Sequence, residues 1–201
     1  TFPTDPTADF RATANVNLNS SCNAFFNGSS TNYYLAGGGC NNTAFSTVVA
    51  HEQGHWLNVR YGTGNGNDGM GEGNGDVFAM YCYDDSVVGR FFTTGGGSVR
   101  NGNNTRQFCG DNNGGCYNGV HANGEVWMGA AWKVRQALKS GPLGTAAGSL
   151  QANSLFLGWL NSYNQTQIRS IIESQWLTLD DDDGNINNGT PNYAQIDGGF
   201  T

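Results

Sequence analysis

The chain has 201 residues, 12% of them charged and 37% hydrophobic, with 31 Gly and 26 Asn. A formal charge of −7 with only nine Lys and Arg argues against nucleic-acid binding, which needs cations for the phosphates. No run of 18 apolar residues exists to cross a membrane, and 12% aromatic residues argue against a disordered chain.

In chain order, residues 1–40 read as extended and loop-like: Val16 and Leu18 alternate with Asn, and residues 23–28 form a strand running into a turn. Residues 43–61 form the first helix, with Thr43 as cap and Phe45, Val48, Val49 and Leu57 as the apolar stripe. Residues 62–75 are Gly/Asn loop, 75–83 a second helix, and 86–120 a long polar stretch. A strong helix follows over 123–139, with Asn123 as cap; Val126, Trp127, Ala130, Ala131, Val134 and Leu138 recur at helical spacing, and Gly141-Pro142 stops it. Further helices are expected near 149–162 and 165–177, and a short last one with Thr190 as cap and Pro191 as its first residue. The expectation is one α+β domain over 1–201, mainly α, with a small β part in 1–42 and a helical part in 43–201.

Five cysteines include no CxxC pair, so a structural zinc knuckle is not expected. Cys22/Cys40 and Cys109/Cys116 each bracket a Gly/Asn-rich segment that gains from a covalent clip. Those two disulfides are expected, with Cys82 left as a buried thiol; Cys82 pairing with Cys109 or Cys116 is the competing option. The chain starts at Thr1 without Met, so the expectation is a secreted protein released from a precursor with signal and pro-segment, or a trimmed chain.

His51-Glu52-Gln53-Gly54-His55 is HExxH. On a helix, residues i and i+4 share one face, so both imidazoles reach one zinc ion. Glu52 lies one step round the helix, where it can take a proton from the attacking water. A third ligand is needed, and Glu72 and Asp76 are the next candidates. They are four apart, so one can bind the metal while the other holds a histidine by its free N–H. A three-histidine HExxHxxGxxH site is excluded, because Asn58 stands where Gly is needed and Tyr61 where the last His is needed.

These blocks resemble the thermolysin-like and fungalysin-like gluzincin metalloendopeptidases. Asn23-Ala24-Phe25-Phe26-Asn27-Gly28 is similar to the edge strand on which those enzymes lay the substrate. Residues 48–55 look like their zinc helix, residues 69–79 like the fungalysin third-ligand segment, and residues 121–127 like the segment after the cleft. The resemblance implies a zincin-like fold and a zinc endopeptidase acting on proteins or peptides as a monomer. It implies Glu72 as third ligand, Asp76 as the partner of a histidine, and Glu52 as general base. It further implies His121 at the oxyanion, Asn23 and the Ala24 backbone on the peptide, and Val48 in the pocket for a hydrophobic residue after the scissile bond.

The chain departs from the family pattern in a short His55-to-Glu72 spacing and in having almost no N-terminal β lobe. Arg90, Arg100 and Arg106 all remain open for the arginine that assists the substrate carbonyl, and Asp111 or Glu125 for the group orienting His121. Asp180, Asp181, Asp182, Asp183 and Asn185 form an Asp-x-Asp-Gly-x-Ile segment like that of calcium loops, so structural calcium is expected there, with a solvated acidic linker as the alternative. It is not a full EF-hand, since Leu179 and Thr190 occupy the first and last ligand positions. Two rivals stand beside the endopeptidase: an aminopeptidase on the same scaffold, and a zinc-stabilised binding module without catalysis.

Overall fold

In the computed structural model, residues 12–201 are described, except 65 and 112. The first eleven residues of the expected extended start lie outside the described residues. A three-stranded sheet is built from β1 (Thr13–Leu18), β2 (Ala24–Phe26) and β3 (Ser30–Tyr34) in the order β1-β3-β2. β3 is central and buried; it pairs in parallel with β1 and antiparallel with β2, so β2 is an edge. Tyr33 of β3 is 1% exposed and donates its hydroxyl to the Val49 carbonyl at 3.4 Å, seating the sheet on the helix that follows.

That helix, α1 (Ser46–Tyr61), ends on Gly62, whose φ of 65° lies in the left-handed region that glycine takes without strain. Thr43 does not cap it. Its hydroxyl accepts from the Tyr34 backbone N–H at 2.8 Å and donates to the Asn23 carbonyl at 2.9 Å, so it ties strands together and the helix begins three residues later. Val49 of the expected stripe is exposed, while Val48, Ala50 and Leu57 are buried.

α2 (Met70–Tyr83) starts five residues before its expected position. Glycines at 71, 73 and 75 disfavour a helix by propensity, but they let two neighbours approach. A Cβ on Gly54 of α1 would lie 2.6 Å from the Gly75 Cα, and one on Gly73 would lie 2.8 Å from the Gly124 carbonyl. Gly124 belongs to α3 (Val120–Ser140), which also starts earlier than expected. Asn123 therefore sits in its first turn rather than capping it; its amide accepts from Tyr117 N–H and donates to the Asn67 carbonyl.

Within the long polar stretch a hairpin appears, β4 (Val87–Val88) with β5 (Arg100–Asn101). α4 (Gly144–Ser162), α5 (Ile171–Asp180) and α6 (Tyr193–Phe200) complete the C-terminal helical region. Residues 165–170, expected as helix, instead bind back to distant loops: Ile168 N–H donates to Asp68 and Ser170 N–H to Asp111. α6 begins at Tyr193, not at Pro191. The Asp180 carboxylate takes the backbone and side-chain N–H groups of Asn192 at 2.7 Å each and holds the chain just outside the helix. Trp127, Trp159 and Trp176 pack together in the buried helical core, Trp127 tilted against Trp159 at 5.2 Å and edge-to-face with Trp176 at 5.4 Å between ring centroids.

Cys22–Cys40 and Cys109–Cys116 are disulfides, as expected; Cys82 is free, but exposed rather than buried. Among the described residues, no helix is long and apolar enough to cross a membrane.

Candidate metal centre and cleft

His51 and His55 lie on successive turns of α1, their ring centroids 4.7 Å apart. Glu72, in the first turn of α2, faces them: its Oε2 is 3.3 Å from His51 Nε2 and its Oε1 3.6 Å from His55 Nε2. One ligand atom from each of these three residues lies within 4.8 Å of the other two, so the group can hold a metal ion. Asp76, one turn beyond Glu72, accepts from His51 Nδ1 at 2.8 Å and fixes that tautomer, leaving Nε2 toward Glu72. Arg100, from the hairpin, donates to both Asp76 oxygens at 2.6 and 2.9 Å. The helical spacing of 72 and 76 thus divides ligand and buttress between the two acids, with Glu72 in the ligand group.

Burial opposes charge on His51, but Asp76 and Glu72 outweigh it and push its pKa up to about 9. Burial would also raise Glu72, but the neighbouring imidazoles bring it down to about 2. Burial works against the Asp76 carboxylate as well, yet Arg100 and His51 hold it well below the usual range. His55 is pushed down to about 4 by burial and by His51. Two ionised carboxylates thus face a protonated His51, which takes the place of a cation. The buried Oε2 of Glu72 makes no well-directed hydrogen bond, with His51 Nε2 at 3.3 Å and His121 Nε2 at 3.2 Å. A carboxylate facing two converging imidazoles is a donor set that fits a divalent transition metal.

Glu52 points into the same space. It is 5% exposed, its Oε2 is buried without a hydrogen-bond partner, and burial pushes its pKa up to about 7. Two cavities of about 360 and 420 Å³ meet here and share Asn23, Ala24, His51, Glu52 and His121. The second has apolar walls at Val48, Val88, Phe92 and Val99. β2 forms one rim. Asn27 N–H donates to the Ser30 carbonyl, so by antiparallel alternation Phe25 bonds toward β3 while Ala24 and Phe26 turn their backbone groups to the open edge.

His121 stands in the first turn of α3, its side chain 63% exposed and its Nε2 3.2 Å from Glu72 Oε2. Neither expected partner orients it: Asp111 accepts from Ser170, and Glu125 pairs with Arg106 at 2.7 Å. Of the three arginines left open, Arg90 pairs with Asp85 at the surface and Arg106 with Glu125, while Arg100 lines the cleft.

At the tail, the carboxylates of Asp181, Asp182 and Asp183 come within 4.8 Å of one another. Asp180 is not among them, because its oxygens are taken by Gln151 and Asn192. Asn185 lies beside the cluster, its N–H donating to Asp183 Oδ1 at 2.9 Å. Asp181 Oδ1 and Thr190 Oγ1 are buried without a hydrogen-bond partner.

The sequence placed Phe26 only within the segment resembling an edge strand, without a role of its own, and did not point to Val88, Phe92 or Val99. Period-two alternation from Ala24 would have found Phe26; two-residue strands in a Gly-rich stretch carry no comparable signal for the others. No protein-family model matches the chain, and no curated protein matches it either.

Proposed function

We propose that this chain is a secreted zinc endopeptidase that hydrolyses internal bonds of proteins or peptides. The observation that carries the reading is the meeting of the His51–His55–Glu72 triangle, the buried Glu52 and an open strand edge in one cleft. His51, His55 and Glu72 would hold the zinc, which supplies Lewis-acid activation of water and of the scissile carbonyl when bound.

The remaining work falls to the chain's own groups. The open backbone of Ala24 and Phe26 binds an extended peptide as an added strand, with Asn23 beside it. Glu52 takes a proton from the attacking water and delivers it to the leaving amine; burial raises its pKa in the metal-free fold, and the charge of a bound zinc would bring it back down. His121, exposed at the cleft, donates to the developing oxyanion. Arg100 steadies Asp76 and lines the cavity where the substrate carbonyl would lie. Val48, Val88, Phe92 and Val99 favour an apolar residue after the scissile bond.

Two cavities that meet at Glu52, leaving room for more than a chain end, support internal cleavage over trimming from a terminus. Two disulfides fit an oxidising, extracellular setting. The Asp181–Asp183 turn is read as a structural calcium site, supported by the convergence of its three carboxylates and the unpartnered Oδ1 of Asp181. Glu52→Gln tests the mechanism: zinc content by mass spectrometry should stay at one per chain while peptide cleavage disappears. Cleavage retained by that variant would refute Glu52 as the base.

A further inference from the structure

The ligand triangle is split across a helix–helix contact, with His51 and His55 on α1 and Glu72 on α2. That contact is smooth. Gly54 lies on Gly75, and a Cβ on Gly75 would come 2.8 Å from His51 Nδ1. Glycines allow the approach but offer no interlocking side chains, so directional contacts, the His51–Asp76 hydrogen bond among them, must fix the sliding register of α2.

A buried amide network lies beside this contact. Asn58 of α1, 0% exposed, donates from Nδ2 to the Gly71 carbonyl at 3.1 Å. Its Oδ1 accepts from Asn74 Nδ2 and from the Thr63 hydroxyl, each at 2.9 Å. Asn74, 1% exposed, accepts from Trp127 Nε1 of α3 at 2.8 Å. The attachment points on α2, Gly71 and Asn74, bracket Glu72 in sequence. Neither asparagine lines the cavities or reaches the ligand atoms.

We infer that Asn58 and Asn74 are positioning residues that fix the register of α2 and thereby hold Glu72 against His51 and His55. The inference rests on the metal-centre reading given above. A satisfied buried amide network is directional, so it sets a position that glycine packing cannot. A slide of α2 by about one ångström would open the ligand triangle, since metal–ligand distances tolerate only about 0.2 Å.

The test uses Asn74→Ala, and Asn58→Leu/Asn74→Leu as a second variant that removes the Asn58–Asn74 bond from both sides but still leaves the Gly71 carbonyl, the Thr63 hydroxyl and Trp127 Nε1–H without their partners. Gln175→Leu serves as the comparison. It removes the equally buried Trp159 Nε1 to Gln175 Oε1 bond, 2.7 Å long, in the helical region away from the ligands. Zinc affinity of the chelator-treated proteins should fall roughly 10- to 100-fold in the Asn74 variants and stay within about twofold in Gln175→Leu, although all are destabilised. Equal shifts in both groups, or unchanged affinity in the Asn74 variants, would overturn the inference.

A metal-independent signal separates its failure from that of the metal reading. The His51 Nδ1–H, bonded to Asp76 across the same contact, is expected to give a low-field imidazole proton resonance in the metal-free protein. It should be sharp in the wild type and in Gln175→Leu and broadened or lost in the Asn74 variants. Its persistence in them overturns the positioning role even if no variant, nor the wild type, binds zinc.

Discussion

Asp76 and Glu52 are both buried carboxyls, yet their surroundings drive them apart: Asp76 is held ionised by Arg100 and His51, and Glu52 is raised by burial. The contrast makes the metal-free protein sensitive to pH. An unfolded histidine titrates near 6.5, whereas His51 in the fold titrates at about 9. Its ion pair therefore stabilises fully below about pH 6.5 and is lost as pH rises toward 9. Glu52 has the same sign in a lower window, losing stability as pH rises from 4.5 toward 7. His55 has the opposite sign, losing its contribution as pH falls from 6.5 toward 4. The window from 7 to 9 thus belongs mainly to His51. Melting of chelator-treated protein should fall through that window, and Asp76→Asn should flatten the fall; an equally steep fall in that variant would contradict the His51–Asp76 pairing. At this scale the site was largely legible, because HExxH and the 72/76 spacing name chemistry directly. Arg100 was not, since nothing local distinguishes it from Arg90 or Arg106 before the hairpin brings it to Asp76.

The elements were readable where the pattern that buries them is also local. Trp127, Ala131, Val134 and Leu138 recur along α3 and are buried as their spacing predicts. The first turn of α2 was hidden, because its glycines speak against a helix and only the approach of α1 and α3 explains them. Thr43, Asn123 and Thr190 all have cap chemistry, yet each sits elsewhere, since distant backbone groups or their neighbours' bonds outweigh the local choice. Gly54→Ala puts that account at risk. Helix propensity alone predicts a gain of about 1 kcal/mol. A Cβ there would meet the Gly75 backbone at 2.6 Å, and overpacking of that kind costs about 1–3 kcal/mol. Urea titration should find the variant less stable than the wild type; a more stable variant would mean the two helices do not touch as described.

For the molecule as a whole, the α+β class and both disulfides followed from the sequence, because composition and loop-bracketing cysteines constrain them. The open edge of β2 was expected only through the family resemblance, since strand order itself depends on contacts remote in the chain. The acidic tail was half legible: the Asp run was visible, but Asp180 turns inward to bind Asn192. If calcium ties this turn to α6, added calcium should raise the melting temperature and EGTA lower it, with Asp182→Ala blunting both. Indifference to calcium would identify the turn as a solvated acidic linker.

The most direct measurement is digestion of an unfolded protein substrate by the zinc-loaded chain, with fragments read by mass spectrometry. The account predicts cleavage at internal bonds, enriched for an apolar residue after the cut, abolished by a zinc chelator and restored by zinc. Stepwise loss of terminal residues, cleavage indifferent to the chelator, or an intact substrate would contradict it.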